Sequence, residues 1–136
     1  MSAKYGKIAA TYKNVEKEAI VETEDPHKLV LMMFDGLIKA MNIYIDNIDI
    51  KTADIELRSK NFSKSLTIIY ALQSSLDFEK GGEIANNLFQ TYEFARQMLI
   101  GSINDMNAVG PTRAVGLLSQ IREAWADMGS QLKNEQ

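Results

Sequence analysis

The sequence predicts an all-α fold: an antiparallel up-down four-helix bundle preceded by a partly helical N-terminal arm. Two observations carry this. Apolar residues recur at helical spacing through four successive segments, and with eight Gly and two Pro in 136 residues few positions interrupt them. Short alternating strands separated by turn pairs do not occur in the sequence. The length suits one domain, with residues 1–24 as the arm and 25–132 as the bundle.

In the arm, Tyr5, Ile8, Tyr12 and Val15 are spaced 3, 4 and 3, one narrow apolar face if it coils. So short a helix is marginal alone, and the arm needs a surface to lie on. Asp25-Pro26 reads as an N-cap followed by proline at the first helical position, where its missing N–H costs nothing. Val30, Met33, Phe34, Leu37, Met41, Tyr44, Ile45 and Ile48 then form one stripe, predicting a first helix over about 26–48. Thr52 is the predicted cap of a second helix over about 52–76, with Ile55, Phe62, Leu66, Ile69 and Leu76 on its stripe and Ile68 and Leu72 beside it. The paired glycines of Asp77 to Gly82 break the pattern and read as the connection to a third helix over about 82–106. Its inward stripe is Ile84, Leu88, Tyr92, Ala95, Leu99, Ile103 and Met106, and Asn107 to Gly110 close it. Pro111 opens a fourth helix over about 111–132, with Ala114, Leu118, Ile121, Trp125, Met128 and Leu132 inward.

Composition narrows function mainly by exclusion. Fifteen Lys and Arg against eighteen Asp and Glu give a net charge of −3, so no surplus of cations awaits a phosphate backbone, and nucleic-acid binding is not expected. Zero Cys excludes disulfides, thiolate nucleophiles and Cys-ligated zinc, and the single His27 excludes a His-pair metal site. Gly81-Gly82 lacks the spacing of a phosphate loop, and no nucleophile has a base; no cofactor, metal or catalytic residue is expected, and the chain does not read as an enzyme. The longest apolar run, Leu29 to Phe34, is six residues against the roughly 20 needed to span a bilayer, so membrane insertion is not expected. The first 24 residues lack the apolar stretch of a secretory signal, which predicts a cytoplasmic protein.

The informative residues are large apolar ones beyond a bundle's needs. At about 100° per residue, Met32 and Ile43 project away from the first helix's stripe, Leu29 sits at its edge, and Phe89 and Ile100 share a flank of the third helix, with Phe94 on the other. Each Met, Leu or Phe left in water forgoes about 1.5–3 kcal/mol, so several together leave on the order of 10 kcal/mol of gross driving force for a covering partner. Leu29, Met32, Met33, Ile43, Phe89 and Ile100 are the candidate groove, and adaptable methionines suit it. Self-association through the same patch is an open alternative.

Three stretches also form a recognisable set: Asp25-Pro26-His27-Lys28-Leu29 running to Met33-Phe34-Asp35-Gly36; Leu76-Asp77-Phe78-Glu79-Lys80-Gly81-Gly82-Glu83-Ile84-Ala85-Asn86-Asn87-Leu88; and Arg122-Glu123-Ala124-Trp125. With Tyr12 fourteen residues before Pro26, they resemble the flagellar secretion chaperone family FliS over nearly the whole chain. The resemblance implies a cytoplasmic chaperone around which the disordered C-terminal segment of flagellin wraps and becomes helical. Premature polymerisation is thereby prevented, and the client is brought to the gate of the flagellar type III export apparatus. It further implies that the arm occupies part of the client groove until flagellin displaces it, Tyr12 matching the arm's characteristic tyrosine and Ile8 its aliphatic partner at slightly different spacing. A co-chaperone is a possible additional partner. A bundle that sequesters a flagellar regulator such as an anti-sigma factor would expose a similar groove and is the alternative.

Overall fold

The computed structural model describes residues 25–134 apart from 50 and 52, with side chains described as far as Gln131. The arm, with Ile8 and Tyr12, and the Thr52 cap lie outside the described residues. Four helices follow in order: α1 Pro26–Asp46, α2 Ile55–Ser74, α3 Phe78–Asp105 and α4 Val109–Asn134. α1 packs against α2 and α4, and α3 against the same two, while neither diagonal pair of backbones comes close. The result is the expected square of antiparallel neighbours, with no strand among the described residues.

α1 begins as the sequence requires. The Asp25 side chain accepts from the His27 and Lys28 amides, satisfying two of the donors a helix leaves unpaired at its start. α2 begins later than expected: Asp54 is its N-cap, its carboxylate accepting from Leu57 N at 3.1 Å. The α2 stripe is also rotated from its expected position. Ile55 is 64% exposed, and the buried face is Asn61, Ser65, Ile68, Ile69, Ala71 and Leu72. Small polar residues can take core positions here because they bond their own helix, Asn61 Nδ2 to the Leu57 carbonyl and Ser65 Oγ to the Asn61 carbonyl.

The glycine pair is not a bare connection. Asp77 caps a helical turn that starts at Phe78, accepting from the Glu79 and Lys80 amides, and the kink falls inside α3 at Gly82, whose φ of 51° and ψ of −122° suit glycine. The break turns Ile84 outward to 71% exposure, and Ala85 takes the buried place expected of Ile84. At the other end Met106, in the left-handed conformation with φ 52°, ends α3, and Ile103 in its last turn is exposed rather than inward. α4 starts two residues earlier than expected, at Val109, whose amide donates to Asn107 Oδ1. Its stripe holds at Ala114, Leu118, Ile121 and Trp125, but Met128 is exposed.

The core is built from Met33, Phe34, Leu37, Met41 and Tyr44 of α1, Ile68, Ile69 and Leu72 of α2, Tyr92 and Leu99 of α3, and Leu118 of α4. Burial pushes the Tyr92 phenol well above its ordinary value, so it stays neutral. Tyr44 and Ser102 meet across the core at 2.6 Å; Ser102 Oγ donates to the Leu99 carbonyl, so the tyrosine is the donor. α1 and α4 are tied by the Arg122 guanidinium on both Asp35 oxygens. They are tied again at their shared end, where the Trp125 indole N–H donates to the His27 carbonyl at 2.8 Å and the two rings stack 4.6 Å apart.

Candidate functional site

On α1, Met32 and Ile43 lie to one side of the fully buried stripe. Taken from Leu37 at about 100° per residue, His27 lies on the flank that meets α4, and Met32 and Ile43 project on the opposite flank, toward α2. Both are half-buried, with Met32 packed on the core. The buried small residues Gly36 and Ala40 project to this flank too. Lys64 of α2 also projects into the α1–α2 seam, and burial lowers the pKa of its ammonium.

A second seam runs between α2 and α3. Gln73 Nε2 of α2 donates to the Glu93 carboxylate of α3 at 3.1 Å, which fixes the facing flanks of the two helices. Projection places Phe62, Leu66 and Tyr70 on that flank of α2, and Phe89, Ile100 and Ile103 on that of α3. Tyr70 is 69% exposed and forms the outer lip. Toward the end where α2 starts, the seam opens into a cavity of about 180 Å³ lined by Tyr44, Phe62, Ile103 and Met106, with Arg58 and Ser59 at its rim. Arg96 pairs with Glu93 on the same flank and, with Gln73, holds its carboxyl below the usual glutamate range. The middle of this apolar seam therefore carries one fixed polar bridge.

The six expected groove residues are thus divided. Leu29 and Met33 are 3% and 0% exposed and belong to the core, because the first turns of α1 are covered by α2 and α4 on both flanks; neither offers a surface in this form of the chain. Met32 and Ile43 line the first seam, Phe89 and Ile100 the second, and α2 stands between the pairs. Sequence reasoning passed over Tyr70, placed Ile103 inward and read Phe78 only as part of a connection. Tyr70 was legible as Leu66 plus four, whereas Ile103 and Phe78 depended on where α3 ends and kinks. Phe78 packs edge-on against Phe89, ring centres 6.0 Å apart.

No group of His, Asp or Glu suited to a metal occurs among the described residues, and no described helix is long and apolar enough to cross a membrane. His27 Nε2 is buried without a hydrogen-bond partner, but its ring is wedged between Trp125 and Gly129 rather than facing a cleft. What the two seams can do chemically is take up apolar side chains.

Comparison with known proteins gives concordant matches. The family described as Flagellar protein FliS matches residues 8–132. The flagellar secretion chaperone FliS of Salmonella typhimurium is 37% identical over 117 residues, 84% of each chain. That of Vibrio cholerae is 26% identical over 123 residues, 90% of this chain and 89% of that one. The flagellar secretion chaperone FliSB of Pseudomonas aeruginosa is 28% identical over 121 residues, 88% of this chain and 93% of that one.

Proposed function

Because this chain belongs to the FliS family, and its relatives are flagellar secretion chaperones, we propose that it binds the disordered C-terminal segment of flagellin. It thereby withholds that segment from polymerisation and brings it to the flagellar export gate. The reaction is coupled folding and binding in the cytoplasm, without nucleotide or cofactor: apolar side chains of the client leave water for the surface of the bundle, and that gain offsets the cost of ordering the segment. The observation that supports this reading is the presence of two half-buried apolar seams on either side of one helix. A client that crosses α2 covers Met32 and Ile43 with one part of its length and Phe89 and Ile100 with another. Leu29 and Met33 form the floor beneath the first seam, shaping it without contact.

Isothermal titration calorimetry with a synthetic flagellin C-terminal peptide tests the reading. Met32→Asp with Ile43→Asp should weaken binding by at least about a hundredfold, since two sites each worth about 1.5–3 kcal/mol are lost. Phe89→Asp with Ile100→Asp should do the same, and helix content by circular dichroism should not change in either variant. Undiminished affinity in both double variants would remove the seams as the docking surface.

A further inference from the structure

The first turn of α3 is built as a separate unit. Asp77 closes it, its carbonyl accepting from Gly81 N at 2.7 Å and its carboxylate from the Glu79 and Lys80 amides. The continuous helix resumes only after Gly82, whose positive φ breaks the ladder. The one large apolar side chain of this turn, Phe78, reaches over the kink to lie edge-on against Phe89. Phe78 is itself 47% exposed, so it is not held as a core residue. Phe89, which makes this contact, is half-buried, whereas Ile100 on the same flank is exposed.

We propose that the Asp77–Gly81 turn is a hinged cover for the α2–α3 seam, with Gly82 as the hinge and Phe78 as the stopper that rests on Phe89 until a client segment takes its place. This deepens the function proposed above and rests on Phe89 belonging to the docking surface. The physical logic is that of a small internal competitor. The aromatic contact satisfies Phe89 in the empty chaperone and limits its exposure to stray apolar chains, and it is weak enough for a longer segment to displace. Glycine at Gly82 keeps the displaced and resting orientations both accessible.

Two measurements test it, one with client and one without. Phe78→Ala removes the competitor and should raise the affinity for the flagellin C-terminal peptide by about two- to tenfold, the range that one aromatic pair spans. Gly82→Ala disfavours the positive φ and should act in the same direction. Without client, protein labelled with 4-fluorophenylalanine should show the Phe89 fluorine resonance moving in both variants, while circular dichroism keeps its helical signal. Unchanged or reduced affinity in Phe78→Ala, or a Phe89 resonance that stays in place, overturns the cover. If instead Phe89→Asp and Ile100→Asp leave affinity intact, it is the docking surface that fails, and the fluorine spectrum still reports on the cover independently.

Discussion

Replacing Gly129 by alanine should have opposite effects in two backgrounds. Gly129 faces the imidazole of His27, and a Cβ there would stand 2.4 Å from Cε1 and 2.7 Å from Nδ1. The ring has little freedom to retreat, because it lies parallel to the Trp125 indole at 4.6 Å. Accommodating the methyl group displaces the imidazole and, with it, the hydrogen bond between the indole and the His27 carbonyl. Losing the stack costs about 0.5–1.5 kcal/mol and losing the bond about the same, against about 1 kcal/mol gained from alanine's better helix propensity. Gly129→Ala alone should therefore destabilise by about 1 kcal/mol. In a His27→Ala background the obstacle is gone, and the same substitution should stabilise by up to about 1 kcal/mol. Urea denaturation of the four proteins, followed by circular dichroism, measures the cycle. Trp125, the only tryptophan, reports the local change by fluorescence. A substitution with the same sign and size in both backgrounds would refute the packing argument.

Two further outcomes concern buried and exposed polar groups. Ser102→Ala should cost more than Tyr44→Phe in urea denaturation, about 1–3 against about 1 kcal/mol, because only the former strands the tyrosine hydroxyl without an acceptor, and the double variant should cost less than the sum. Arg96 and Gln73 lower the Glu93 pKa, so the unfolded chain binds that proton more readily. The resulting stability is present above the ordinary glutamate range and is lost as pH falls through the lowered value. The gap in urea midpoint between the native chain and Glu93→Gln should accordingly close on going from neutral to strongly acidic pH.

Much of the fold was legible because each helix announces itself by spacing. Asp25-Pro26 marks the start of α1, and the long α1 stripe leaves no doubt which side faces inward. What misled was a reliance on apolar residues alone. Asn61 and Ser65 occupy the α2 core because their side chains return to their own backbone, an option invisible to a hydrophobic stripe, and Ile55 is consequently left outside. Glycine pairs read as turns, yet Asp77 supplies a cap four residues earlier, so the helix begins before the glycines and kinks through them. The seams were legible only in part: projection correctly separates Phe89 and Ile100 from the α3 core. It cannot tell that Leu29 and Met33 are closed over, since that depends on how near α2 and α4 come to α1.

The hydroxyl pair of Tyr44 and Ser102 joins α1 and α3, one of the two diagonal pairs whose backbones do not come close. Interlocking aliphatic surfaces resist separation far better than they resist sliding, and a rod displaced lengthwise by one turn, about 5.4 Å, finds similar holes for its knobs. A single directional bond buried between opposite corners admits only one longitudinal alignment. It thereby sets the heights at which Ile43 of α1 and Ile100 of α3 stand relative to one another along the bundle axis.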